Sequence, residues 1–169
     1  LAVSRILTFI IITFLYHTTL SAAHIVGGDV TYKCIESNPI TKTTTFTVTF
    51  TIYRDLNGGG ATFDNNAAFG VFQRSMNDNN WSHKETIRSS PIRKEDVLYD
   101  DKCVIVPPNI RIEKANYIFD VVLPWGTNVY QITYQRCCRN ATLNNIENPD
   151  QTGDAFSVEI FGNSIENCN

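Results

Sequence analysis

Residues 43–54 have the sequence TTTFTVTFTIYR, in which threonine alternates with apolar side chains. β-Branched and aromatic residues with a period of two are typical of a strand that buries one face and leaves the other open. The inward set is Phe46, Val48, Phe50 and Ile52, and the outward set is Thr45, Thr47, Thr49 and Thr51. The segment predicts a half-buried antiparallel strand.

Weaker strand patterns lie on both sides of this segment. They cover residues 25–35, 67–74, 117–123, 129–138 and 155–161. Stretches rich in turn residues separate them, such as Asn57-Gly58-Gly59-Gly60, and no segment keeps a helical apolar period for three turns. The sequence therefore predicts an all-β fold, a disulfide-stapled antiparallel β-sandwich of immunoglobulin-like or jelly-roll type.

The first 23 residues predict a secretory signal peptide. Arg5 precedes an apolar run, and Ser21-Ala22-Ala23 supplies small residues for a cut after Ala23. The run of about ten residues is shorter than the roughly 20 that span a bilayer, which makes an uncleaved anchor the weaker alternative. We expect a secreted or cell-surface protein that begins at His24, is not inserted in a membrane after cleavage, and has one domain over residues 24–169 at the amino-terminal end of a longer protein.

The charge of the chain argues against two classes of partner. Its formal net charge is −3, with 14 Lys plus Arg scattered among 17 acids. A nucleic acid or an anionic membrane would call for a basic patch. The sequence predicts neither catalytic nor cofactor-binding residues, and the adjacent Cys137 and Cys138 lack the two-residue gap of a zinc knuckle or a redox pair.

One stretch resembles part of a calcium loop. Asp55 and Asn57 come before three glycines, and Asp64 follows them. Oxygen ligands at alternate positions with a glycine turn suit a hard cation, although the closing glutamate of an EF-hand is missing. The alternative interpretation is a glycine-rich connection after a strand.

Several strings together resemble an amino-terminal domain of large secreted proteins of Bacteroidetes. They are HIVGGDVTYKC at 24–34, TIYRD at 51–55, FDN at 63–65, YQRCCRN at 134–140, NNI at 144–146 and Pro149. In that family the domain precedes PKD-like or other immunoglobulin-like repeats and a gliding-motility-associated sorting domain for type IX secretion. The resemblance covers nearly all of residues 24–169 and implies a location and an architecture rather than an activity.

The resemblance also bears on the five cysteines, which an exported chain can keep as disulfides. The family commonly has a cysteine after Tyr-Arg-Asp and another before an aromatic strand, where this chain has Leu56 and Arg111. If those two normally form one bridge, their joint loss leaves Cys34, Cys103, Cys137 and Cys138 as the internal framework. Cys168 would then bond to a residue beyond this sequence.

Alternation along the predicted strands suggests how the four cysteines pair. Cys34 shares a strand face with Val30 and Tyr32, and Cys138 shares one with Tyr134 and other apolar residues. This favours Cys34 with Cys138 in the core and Cys103 with Cys137 on the opposite face. The reverse assignment of Cys137 and Cys138 stays open.

We interpret the chain as a non-enzymatic structural or adhesion module whose partners are downstream domains of the same protein and surface glycans or proteins. A glycan-binding module is one alternative, with Trp81, Tyr99 or Trp125 as stacking platforms. A polysaccharide-active enzyme is the other, and it would need two facing carboxylates. The candidate acids are Asp64, Asp96, Asp100 and Asp101, which the sequence does not pair.

Overall fold

Eight strands form two antiparallel sheets in the computed structural model, which describes residues 25–57, 62–97, 110–137, 139, 143–166 and 168. The strands are β1 (Ile25–Asn38), β2 (Thr43–Asp55), β3 (Ala67–Ser75), β4 (Ser82–Ser89), β5 (Arg93–Asp96), β6 (Ile112–Pro124), β7 (Asn128–Arg136) and β8 (Asp154–Phe161). A 3₁₀ turn at Pro149–Gln151 precedes β8. Within the described ranges, no helix has the length and apolar character needed to cross a membrane.

The strand order identifies the type of sandwich. The first sheet has the order β1-β2-β6-β5 and the second has the order β4-β3-β7-β8. If the strands are lettered in chain order with β4 as C′, these sheets become A-B-E-D and C′-C-F-G, which is the immunoglobulin-like arrangement. The predicted antiparallel β-sandwich is confirmed, and the order agrees with the immunoglobulin-like alternative rather than the jelly roll.

Strand β2 has the predicted register. Phe46, Val48, Phe50 and Ile52 are at most 3% exposed, whereas Thr45, Thr47, Thr49 and Thr51 are half-buried on the other face. The strand lies between β1 and β6, so both of its edges are hydrogen-bonded. The alternation therefore places one row of apolar side chains between the sheets.

Phe69 of β3 stands at the centre of the core. Its ring centroid is 4.8 Å from that of Phe50, 4.7 Å from Phe119, 5.5 Å from Tyr117 and 5.2 Å from Tyr134. These four rings come from three strands of the two sheets, namely β2, β6 and β7. Offset and tilted aromatic contacts of this kind stabilise a core beyond the area that they bury.

Glycine is required at position 28, in the opening IVGG string. A Cβ atom at Gly28 would lie 2.9 Å from the carbonyl oxygen of Thr51 and 3.0 Å from side-chain atoms of Ile52 and Phe156. Real Cβ atoms do not approach other atoms this closely. The string thus has a packing role where the first strand meets β2 and β8.

Two strands were not predicted, and one was predicted too long. β4 and β5 have the polar sequences SHKETIRS and RKED, which show no apolar alternation, and each lies at the edge of its sheet. β7 ends at Arg136 rather than continuing through Cys138. Beyond it, the Arg139 N–H donates to the carbonyl oxygens of Pro149 and Thr152, which lie outside the β7–β8 ladder. Strand alternation therefore does not apply at Cys137.

The predicted pairing of Cys34 with Cys138 is wrong, and so is the expectation that Cys168 bonds beyond this sequence. Cys34 is bonded to Cys168, with their Cα atoms 5.4 Å apart. Cys137 is also in a disulfide. Its predicted partner Cys103 and the adjacent Cys138 lie outside the described residues.

The tail after β8 is fixed by more than the disulfide. Ile165 is only 5% exposed and belongs to the core. The hydroxyl of Thr44, which is fully buried, donates to the Ile165 carbonyl oxygen at 2.5 Å, and the indole N–H of Trp125 donates to the Thr44 hydroxyl at 2.8 Å. We call Cys34, Thr44, Trp125, Ile165 and Cys168 the tail latch.

Candidate functional site

Four of the strings that carry the resemblance meet at one end of the sandwich, namely those at 24–34, 51–55, 63–65 and 134–140. Ile25 is paired with Arg54 in the β1–β2 ladder and forms a parallel bridge with Arg139. The Arg54 guanidinium lies over the ring of Phe63 at 5.0 Å from its centroid. We call this end the motif end and define it by Ile25, Arg54, Phe63, Asp64, Tyr134, Arg136 and Arg139.

Asp64 holds the motif end together. Its carboxylate accepts a hydrogen bond from the Tyr134 hydroxyl at 2.8 Å, and its main-chain oxygen accepts one from the Tyr117 hydroxyl at 3.0 Å. Arg136 approaches the carboxylate at 3.5 Å and donates to the Thr62 carbonyl oxygen at 2.9 Å. The FDN segment is therefore fastened to strands β6 and β7.

The two tyrosines of this cluster are held in their neutral form. Burial raises the pKa of Tyr117 to about 12, with the Asp64 charge adding to the effect. Burial also raises the pKa of Tyr134 well above its ordinary value, and its hydrogen bond to Asp64 acts in the same direction. Both hydroxyls therefore keep their protons and donate these hydrogen bonds above pH ~10, where an exposed tyrosine ionises.

Arg54 and Asp55 also have structural partners. The Arg54 Nε lies 2.6 Å from a Glu113 carboxylate oxygen, and both side chains are mostly buried. Such an ion pair is shielded from solvent more than a surface pair is. The Asp55 carboxylate accepts the Asn57 N–H at 2.8 Å, which is an Asx turn.

The proposed calcium loop is only partly described, because its glycines Gly58, Gly59 and Gly60 lie outside the described residues. Asp55 and Asn57 are joined to each other, and Asp64 is joined to Tyr134 and Arg136. Among the described residues no group of three His, Cys, Asp or Glu side chains could hold a metal ion.

A shallow cavity of about 380 Å³ adjoins the motif end, lined by Gln135, Arg136, Cys137, Gly153, Asp154 and Ala155. Burial raises the pKa of the Asp154 carboxyl, while Arg139 at 3.1 Å opposes that shift. Arg139 also donates to the Gly153 carbonyl oxygen at 3.0 Å. Asp154 and Arg139 thus compensate each other at this cavity, whereas the buried Nη1 of Arg136 has no hydrogen-bond partner.

A second, smaller cavity of about 190 Å³ lies on the outer face of the sheet that contains β3, β4 and β7. We call it the outer-face pocket, and its lining is Ala68, Gly70, Phe72, His83, Thr86, Thr133 and Gln135. Strand register explains why these residues meet. Gly70 pairs with Thr86 on one side and with Thr133 on the other, and Phe72 pairs with His83.

Gly70 and Phe72 shape one wall of this pocket. A Cβ atom at Gly70 would lie 2.6 Å from Cε2 of the Phe72 ring, so the ring extends over the glycine. The Phe72 ring meets His83 edge to face at 5.6 Å between centroids, and His83 Nε2 is 2.9 Å from the Thr86 hydroxyl oxygen. The wall is therefore an aromatic surface fixed by its neighbours.

Thr133 is the unusual residue of the pocket. Its neighbours Ile132 and Tyr134 point into the core, so its side chain points to the outer face, yet it is only 6% exposed. Its hydroxyl is buried and makes no hydrogen bond. Buried polar groups almost always have a partner, and each exception calls for an explanation.

The aromatic platforms proposed from the sequence are elsewhere. Trp125 is half-buried and belongs to the tail latch. The Trp81 ring is covered by the Arg74 guanidinium at 5.0 Å. Tyr99 lies outside the described residues, as do Asp100 and Asp101. Asp96 is exposed and pairs with Arg111 at 3.6 Å.

Sequence reasoning did not identify the outer-face pocket. The available signal was Gly70, because a glycine inside a strand often marks a close approach of another group. The local sequence pattern does not show the register between β3 and β7, and it is this register that brings Gly70 beside Thr133.

In the comparisons with known proteins, the chain matched no protein-family model, no curated protein and no solved structure.

Proposed function

We propose that this chain is a non-enzymatic structural or adhesion module of a secreted or cell-surface protein. The observation that carries the proposal is that the polar residues of the motif end are bound to other side chains of the domain. Asp64, Arg136 and Tyr134 bind one another, and Arg54 binds Glu113 and Phe63. These polar side chains are of the kind that a reaction site would use, but here they bind one another and hold loops to strands.

The disulfide supports the location part of the proposal. A bond between Cys34 and Cys168 is of the kind that persists in oxidising compartments and is rare in the cytosol. It is consistent with an extracellular location. The proposal has two further parts. We propose that residues 1–23 direct export and that this domain precedes further domains, as in the Bacteroidetes proteins that the sequence resembles.

The enzyme alternative has less support from the described residues. A glycosidase needs two carboxyl groups about 5 to 9.5 Å apart across a groove. Asp64 is bound by Tyr134 and Arg136. Asp96 lies on the exposed edge strand β5 and pairs with Arg111. No described carboxylate lines the outer-face pocket.

A flow-cell experiment tests the proposal. Beads coated with the purified protein are passed over immobilised surface polysaccharide and over cells of the producing organism, and reducing ends are measured in the effluent. We expect attachment without release of reducing ends. Beads coated with reduced and alkylated protein are the matched control and should attach less. Release of reducing ends that scales with protein concentration would contradict the non-enzymatic proposal, and equal attachment of both bead types would contradict the adhesive one.

A further inference from the structure

We propose that the outer-face pocket binds one neutral sugar residue of a glycan, with Thr133 and Gln135 as hydrogen-bonding groups and the Phe72 ring as the apolar surface. This inference rests on the proposed adhesive function and gives it a site and a ligand class.

The size of the pocket limits the ligand. A volume of about 190 Å³ is below the roughly 300 Å³ at which pockets for drug-sized molecules begin. One six-membered sugar ring fits this space, whereas a longer glycan would have to run along the open face of the sheet.

The chemistry of the lining selects a neutral ligand with many hydroxyl groups. Thr86, Thr133 and Gln135 offer hydroxyl and amide groups, and the described lining contains no Asp, Glu, Lys or Arg. A phosphate or carboxylate ligand would find neither lysine nor arginine here, and Nε2 of the histidine in the lining, His83, lies 2.9 Å from the Thr86 hydroxyl oxygen. A sugar hydroxyl can both donate and accept a hydrogen bond, as the Thr and Gln side chains can. A sugar can therefore pair with these side chains whether they act as donors or as acceptors.

The aromatic wall of the pocket matches the apolar face of a sugar ring. A pyranose ring has apolar C–H groups on one face, and these pack against aromatic rings while its hydroxyls point to the sides. Phe72 is half-buried and extends over Gly70, so its ring lies along the sheet rather than standing away from it. Its edge-to-face contact with His83 restricts the ring further.

The unpartnered hydroxyl of Thr133 is the second, independent observation. In this structure the hydroxyl oxygen is shielded from water and lacks a hydrogen bond. Threonine has alternative staggered χ1 rotamers, and a rotation of about 120° would place the hydroxyl where the methyl group lies and the methyl group where the β-hydrogen lies. A ligand hydroxyl in the pocket would then supply the partner that the protein does not.

Titration by NMR tests this site directly. The probes are the methyl glycosides of glucose, galactose, mannose and N-acetylglucosamine, added separately to the ¹⁵N-labelled protein. We expect at least one to cause saturable shifts of the Gly70, His83 and Thr133 amide signals. The proposal is overturned if none of the four does so, or if the shifts cluster on another face.

Two variants and a control sharpen the test. Thr133→Val keeps the shape and removes the hydroxyl, so it should weaken binding of the responding glycoside about tenfold, the factor expected from one lost hydrogen bond. Its thermal stability should not fall, because the hydroxyl has no partner in the free protein. Gly70→Ala should weaken binding by displacing the Phe72 ring. Thr49→Val, on the outer face of the other sheet, should leave binding unchanged.

Equal affinity of the wild type and Thr133→Val would overturn the proposal, even if both bind a sugar. The outcome is separable from that of the flow-cell experiment. Beads that attach to cells while no glycoside shifts the pocket signals would refute the sugar site and leave the adhesive function standing, with a protein as the ligand.

Discussion

Replacing both Cys34 and Cys168 with alanine should lower the free energy of unfolding by up to about 5 kcal/mol. The bond closes a loop with a sequence separation of 134. The chain-entropy relation for a loop of that length gives about 17 cal/mol/K, or about 5 kcal/mol at 25 °C. If the bridge at Cys137 shortens the effective loop to about 100 residues, the value is still about 4.7 kcal/mol.

The measurement is guanidinium chloride unfolding of the oxidised wild type and of the double variant, followed by tryptophan fluorescence. Trp125 belongs to the tail latch and reports on its release. The lost stability should appear as a lower midpoint, and the slope should rise because the uncrosslinked unfolded chain exposes more surface. Native disulfides of small secreted domains typically contribute 2–5 kcal/mol.

A matched variant separates the crosslink from the contacts around it. Thr44→Val removes the hydroxyl that joins Trp125 to the Ile165 carbonyl and leaves two buried groups without that partner, which should cost about 1–3 kcal/mol. Because both changes free the same tail, their effects should be non-additive when combined. A loss below about 1 kcal/mol in the double cysteine variant would refute the assignment of the bridge as the main constraint on the unfolded chain.

Three further predictions concern the core, the tyrosines and export. Phe50→Ala should cost about 3–5 kcal/mol and Thr49→Ala less than about 1 kcal/mol in denaturant unfolding, since only Phe50 is fully buried, and equal effects would contradict the register. Above pH ~10 the unfolded chain loses tyrosine protons that Tyr117 and Tyr134 keep in the fold, so the free energy of unfolding should fall as pH rises from 10 towards 12. Tyr134→Phe should show a smaller fall relative to its value at pH 8, and an identical pH profile would count against the buried cluster. Amino-terminal sequencing of the exported protein should begin at His24, and retention of the preceding apolar segment would indicate a membrane tether.

The parts of the fold that could be predicted are those that local pattern determines. The alternation in β2 requires one buried face, so Phe46 to Ile52 could be placed without knowing any neighbouring strand. β4 and β5 show no such pattern, because each is an edge strand with polar side chains and owes its conformation to the strand beside it. The strand that pairs with an edge strand is determined by the whole fold. The four to eight polar residues of the edge strand itself therefore give little indication of that pairing.

The cysteines and the candidate site depend on long-range geometry. Strand parity correctly placed Tyr134 in the core, but it could not show that the strand stops at Arg136 before the vicinal cysteines. The tail carries no periodic pattern, so nothing local indicated that Cys168 returns to Cys34. Asp64 looked like a metal ligand because its carboxylate is polar and near glycines. Its actual partners lie about 70 residues away on β7.

The connection between β1 and the tail also determines how the domain would behave under mechanical tension. A pull applied upstream of Cys34 and downstream of Cys168 would pass from one sulfur atom to the other and bypass the 134-residue separation between them. That length, fully extended, would measure about 450 Å. While the bridge is intact the domain would act as a short link, because both sheets except residues 25–33 of β1 lie outside the load path. Reduction would place them in series with the pull and release the stored length.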